Sequence, residues 1–122
     1  MIPIVTPAEM AAVDAAAADS LDVLVERAGS AVARAARQML GGTYGRTVRV
    51  IAGKGNNGAD GRAAAAWLER RGVKVDVIDA ARCPPTLAPA DLVIDAAFGT
   101  GFRDTWRAPR VGATPVLAVD IP

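Results

Sequence analysis

Three short stretches concentrate the side chains that could do chemistry. "GKGNNGADG", residues 53–61, sets Asn56, Asn57 and Asp60 among glycines, while "LVID" ends an apolar run on Asp95 and "LAVD" ends another on Asp120. A plain turn calls for one asparagine or aspartate. Three polar side chains within so short a span therefore suggest oxygen ligands for a cation or a hydroxyl. A carboxylate with a hydrophobic run behind it is a candidate for catalysis, against the plainer reading that it caps the next turn. The chain has no histidine and a single cysteine, Cys83. Zinc clusters, disulfide frameworks, histidine bases and serine-histidine triads are thereby excluded, and proton transfer falls to the acids.

The glycines of the first stretch fit G-x-G-x-x-G through Gly53, Gly55 and Gly58, with Asp76 and Asp79 about 20 residues on. Glycines let backbone N–H groups approach an oxyanion, and a following helix N-terminus adds a favourable partial charge. No Gly-Lys-Ser or Gly-Lys-Thr follows, so this is not a Walker loop. The competing reading is a strand-to-helix turn that needs glycine for its geometry alone. Lys54 reads as solvated.

The elements that must position these groups are legible in outline. Thr6, Pro7 and Glu9 open a short helix running to about residue 18. Ser20 opens a second helix, with apolar positions Leu21, Leu24, Val25, Ala28, Val32, Ala36 and Met39, stopped by Gly41 and Gly42. Glu26, Arg27, Arg34 and Arg37 read as its solvated face. Residues 47–52 form a strand leading into the glycine loop, "DGRAAAAWLERRG" a helix ending at Gly72, and "VKVDVID", "DLVIDA" and "PVLAVD" three further strands. Strands alternating with helices imply a parallel sheet covered on both faces. The prolines of "AARCPPTLAPA" leave room for a single turn at most, and "FGTGFRDTWRAPRVGAT" for one or two. Ligands in such a sheet gather outside the carboxyl ends of the strands, where all three chemical stretches fall.

With 122 residues and 52% of them hydrophobic, the chain is sized for one domain with a buried core. Its net charge of +1 offers no field that would recruit nucleic acid or an anionic membrane. No signal peptide or apolar span is present, and a reduced cytoplasm is the expected location.

Taken together, "AGKGNNGADG", "DAAFGTG", "AVDIP" and the upstream "LVERAGSAVA" resemble the NAD(P)H-hydrate epimerase family, whose domain also forms the N-terminal half of bifunctional repair enzymes. The resemblance implies a Rossmann-like three-layer αβα sandwich with a mostly parallel sheet, a homo-oligomer, a bound potassium ion and no nucleic-acid or membrane partner. It implies interconversion of the R and S forms of hydrated NADH and NADPH, so that a dehydratase acting on the S form restores the cofactor. Carried over by motif, Asn56, Asn57, Gly58, Ala59 and Asp60 contact the substrate, and Asn57 and Asp95 give oxygens to potassium. Gly99, Thr100, Gly101, Phe102, Arg103, Asp104 and Thr105 cradle the phosphates. Asp120 faces the ring or ribose, and Asp120 or Asp60 handles the proton.

Three departures from the family pattern stand out, one of them a crossover after "FGTG" that is shorter than is usual for the family. Ala59 replaces a glycine, which requires a negative φ there. The final motif stops at Pro122 before its Ser-Gly, so the chain is expected to be the N-terminal part of a longer domain, with the rest of that domain or a dehydratase domain as its partner. The competing functions are a non-catalytic binding module of the same fold, which has no use for the retained acids, and a nicotinamide dehydrogenase resting on G-x-G-x-x-G and Asp79.

Overall fold

The computed structural model describes residues 18–98 and 107–119. The helix expected from Thr6 lies outside them. A long helix, α1 (Ala18–Leu40), comes first and ends where Gly41 adopts φ 71° and donates its N–H to the Arg37 carbonyl at 3.0 Å. That left-handed stop is the glycine ending expected from the sequence.

The buried stripe of α1 differs from the expected one. Gly29, Ala33, Ala36 and Leu40 are buried, whereas Leu24 and Met39 are 38% and 49% exposed. The reason lies in the second helix, α2 (Asn56–Glu69), which packs directly on α1. A Cβ placed on Gly29 would overlap the Ala63 methyl, so the contact admits only small residues and turns the larger ones outward. Glu26, Arg27, Arg34 and Arg37 are exposed, as expected.

Four strands, β1 (Thr47–Ala52), β2 (Lys74–Asp79), β3 (Leu92–Ala96) and β4 (Val116–Ala118), form one sheet in the order β2-β1-β3-β4 with every pairing parallel. The α/β class and the strand positions agree with the sequence to within one or two residues at most ends. Alternation divides the strands between two faces. Val48, Val50 and Ala52 of β1 join Leu92, Ile94 and Ala96 of β3 under Ala33 and Ala36 of α1 and Ala64 and Leu68 of α2. Ile51, Val93 and Ala97 face the other way, against Ala80 and Leu87. Each large apolar side chain so buried contributes about 1.5–3 kcal/mol relative to exposure.

Among the described residues, that second face is covered by a 3-10 turn, Ala80–Arg82, and by irregular connections. This is the trimmed crossover that the prolines of 84–89 require. Arg49 fastens it to the sheet: its Nε donates to the Ala88 carbonyl at 3.0 Å, its Nη2 to that of Pro89 at 3.2 Å, and its Nη1 pairs with Asp76.

From β1 the chain moves through α2 to β2 on one side, then returns past β1 to β3 on the other. Strand order therefore reverses between β1 and β3, and the crevice beyond their carboxyl ends is where an open parallel sheet can receive a ligand.

Candidate functional site

Gly53, one residue past β1, is where the crevice is built. Its N–H donates to the Ala96 carbonyl of β3 at 3.0 Å, and a Cβ on it would overlap the Ala97 carbonyl oxygen. A Cβ on Gly58 would in turn overlap the Gly53 carbonyl, while Gly55 has open space around it. Two glycines of G-x-G-x-x-G are thus demanded by backbone lying on backbone. The third is available to a ligand.

Helix α2 begins at Asn56, four residues earlier than the sequence suggested, because Gly55 serves as N-cap in an extended conformation, φ −86° and ψ −163°. Asn56, Asn57 and Gly58 consequently belong to a first turn and not to a loop. Among the described residues, no side chain caps this turn and no acid stands in it. Its N–H groups have no intrahelical acceptor, and among the described residues no carboxylate is shown neutralising the positive end of the helix dipole. Ala59 is helical, so its φ is negative and its methyl is tolerated.

Asn57 and Asp60 are 6% and 3% exposed, a degree of burial uncommon for these residue types. Burial raises the carboxyl of Asp60 above its ordinary range. That is the direction expected when a carboxylate loses water, and it lets the group hold a proton nearer to neutral pH. Asn56 is exposed, as is Lys54.

Asp95, on β3, approaches from the opposite face, that of Ile51 and Ala97. It stands in register with Ile51 and Ala118, and its backbone carbonyl accepts from Val119 N–H at 2.8 Å. Its side chain is half-buried, and Oδ1 accepts from the Ala97 N–H at 3.2 Å. Cys83 lies near enough to respond to this acid: burial first, and the Asp95 charge second, push its thiol upward. A thiol kept protonated in this way is a packing group.

The structure thus places Asn57, Gly58 and Ala59 in the first turn of α2 and Asp95 near the carboxyl end of β3, both beside the switch point, and buries Asp60 one turn into α2. Gly99, Thr100, Gly101, Phe102, Arg103, Asp104, Thr105 and Asp120 lie outside the described residues. So does Trp106. Among the described residues, no group of three or more His, Cys, Asp or Glu gathers, and no helix is long and apolar enough to cross a membrane.

The acid on which the dehydrogenase reading rests, Asp79, is engaged elsewhere, and so is Asp76. Asp79 accepts the Ala81 N–H at 2.9 Å and caps the 3-10 turn, and Asp76 pairs with Arg49. Trp67 packs against the core with the Arg71 guanidinium 3.4 Å above its ring. Sequence reasoning passed over Arg62, whose Nη1 donates to the Gly53 carbonyl at 2.9 Å. Its signal was a lone cation opening the alanine run "RAAAAW", four residues after Gly58.

The model of the family described as YjeF-related protein N-terminus matches residues 21–86. The chain is 35% identical over 151 residues to the NAD(P)H-hydrate epimerase of Rhodobacter capsulatus, covering 93% of this chain and 71% of that protein. It is 34% identical over 134 residues to the NAD(P)H-hydrate epimerase of Ajellomyces capsulatus, covering 84% and 56%. Against the bifunctional NAD(P)H-hydrate repair enzyme Nnr of Thermofilum pendens it is 29% identical over 141 residues, covering 83% of this chain and 26% of that protein. It therefore spans about half the length of the second relative and a quarter of the third. With the glycine turn, the strand-end aspartate and these matches in agreement, the chain belongs to the NAD(P)H-hydrate epimerase family of YjeF-related N-terminal domains.

Proposed function

We propose that the chain provides the epimerase activity its relatives are named for, interconverting the R and S forms of hydrated NADH and NADPH in cofactor repair. The observation that carries this is Asp60, a buried carboxyl behind the uncapped start of α2 at the switch point. A scaffold gains nothing from it, because burying an unpaired acid costs stability with no return to a fold that does not use it.

The damaged ring carries a hydroxyl on a carbon bonded to nitrogen. As the C–O bond breaks, its electron pair leaves with oxygen, the proton of Asp60 or Asp120 goes to that oxygen, and water departs. The ring nitrogen lends its lone pair to the carbon, which becomes a flat iminium. Water then adds to the opposite face, and its surplus proton returns to the carboxylate. Atoms and electrons balance without a redox partner. A carboxyl with raised proton affinity suits the first step, and the same group ionised suits the last. Gly58, Ala59 and the first-turn N–H groups of α2 hold an anionic part of the substrate, with the segment from Gly99 to Thr105 as the second wall of the phosphate site.

The donor set fits potassium. Asn57 would offer an amide oxygen and Asp95 a carboxylate oxygen, and hard oxygen donors of low total charge suit a hard monovalent cation. When bound, such an ion supplies a fixed positive charge beside the substrate anion. Downstream, a dehydratase specific for the S form, fused or separate, consumes the product.

The test follows R-to-S conversion of hydrated NADPH against potassium concentration. Wild type is expected to be activated by potassium. Asp95→Asn still accepts the Ala97 N–H, so the turn survives, but the half-activating potassium concentration is expected to rise on the order of tenfold, the effect of losing about 1.4 kcal/mol of charge interaction. Equal potassium dependence in the two proteins removes Asp95 from the ion site.

A further inference from the structure

We infer that Arg62 is a positioning residue for the switch-point turn, an assignment whose kinetic consequence rests on the epimerase reading above. Arg62 follows Gly58 by four residues, so the two lie on one side of α2. Helical side chains lean toward the N-terminus, and this lean carries the guanidinium back over the first turn to the Gly53 carbonyl. The same carbonyl is the atom that leaves no room for a Cβ at Gly58. Glycine at 58 admits the oxygen, and arginine at 62 grips it.

Gly53 is buried, and its other end is already fixed, because its N–H donates to Ala96 of β3. The residue is therefore held at its N–H by the sheet and at its C=O by Arg62. The peptide that leads through Lys54 into Gly55 and the first turn leaves from this point, so its orientation aims the N–H groups expected to meet the substrate's anion. Arg62 acts through this backbone and not on the reacting atoms.

The experiment compares wild type, Arg62→Ala and Arg62→Lys in the full chain. It measures kcat and KM for R-hydrated NADPH, and amide hydrogen exchange in peptides covering residues 53–58. Losing one hydrogen bond to a buried carbonyl corresponds to about a tenfold effect. In Arg62→Ala, KM is expected to rise about tenfold with kcat within about twofold of wild type, and exchange in 53–58 is expected to accelerate while that in β2 does not change. Arg62→Lys, which keeps a donor at the same reach, is expected to recover part of both effects.

Unchanged KM, a fall in kcat alone, or a lysine variant no better than alanine would overturn the assignment. If wild type shows no epimerisation, the functional reading falls by itself and the exchange data alone decide: faster exchange confined to 53–58 sustains the positioning role, and unchanged exchange ends it.

Discussion

Gly53→Ala and Gly58→Ala are each expected to destabilise the fold by about 3 kcal/mol or more, at the upper end of overpacking costs. Both added methyl groups collide with main-chain atoms, the Ala97 carbonyl in one case and the Gly53 carbonyl in the other. No rotamer change relieves such a collision, so the ends of β1 and β3 or the start of α2 must move apart. Gly55→Ala is the internal control. It sits in the same turn, has no atom within 4 Å of the new Cβ, and already has φ −86°. Its effect on stability is expected to stay within about 0.5 kcal/mol. Urea midpoints at unchanged m-value measure all three. Comparable losses across the set would mean that glycine is required for local flexibility, and that the backbone contact does not govern.

Asp60→Asn is expected to divide activity from stability. With Asp60 as the proposed proton donor, its removal is expected to cost on the order of 10²-fold or more in epimerisation, and an unchanged rate assigns the proton to Asp120. Stability moves the other way. Burial raises the Asp60 carboxyl above its ordinary value of 3.8, so the folded state binds the proton more tightly than the unfolded chain does. Between 3.8 and the raised folded value the native state carries more protons, and stability falls as pH rises through that window. Above it, wild type bears the full cost of a buried charge, which asparagine does not carry. The variant is therefore expected to melt at a higher temperature than wild type at pH 7, with the advantage shrinking as the pH is lowered and gone below 3.8. A gain that persists in acid would assign the effect to packing. No gain at any pH would mean that a partner group compensates the charge.

These two residue sets differ in how much of their role the sequence disclosed. The strands were plain because short β-branched and apolar runs stood out against glycine- and proline-rich surroundings, and the parallel pairing of β1 and β2 followed from the helix between them. Asn57, Asp60 and Asp95 stood out because polar residues interrupted glycine or apolar surroundings. The start of α2 was not legible, since Gly55 caps it with backbone alone and leaves no side-chain signature. Nor was the buried stripe of α1, because in an alanine-rich helix several faces look equally apolar until Ala63 arrives against Gly29. Asp79 fitted a ribose acid by spacing, but a hydrogen bond to Ala81 two residues on is local chemistry that spacing does not reveal. Arg62 was invisible for a further reason: its acceptor is a main-chain carbonyl nine residues back, brought into range only by the turn that Gly53 and Gly58 permit.

The chemistry assigned to the switch point requires that the hydroxyl leave and that a different water return. The most direct measurement is to incubate pure R-hydrated NADPH with the protein and potassium in water enriched in oxygen-18, separate the epimers, and weigh each. Elimination and re-addition predict that S-hydrated NADPH appears and carries the heavy oxygen, at a rate that collapses in Asp60→Asn. Conversion that retains the original oxygen would contradict the proton-donor role of the acids, and no conversion in the presence of potassium would contradict the epimerase reading itself.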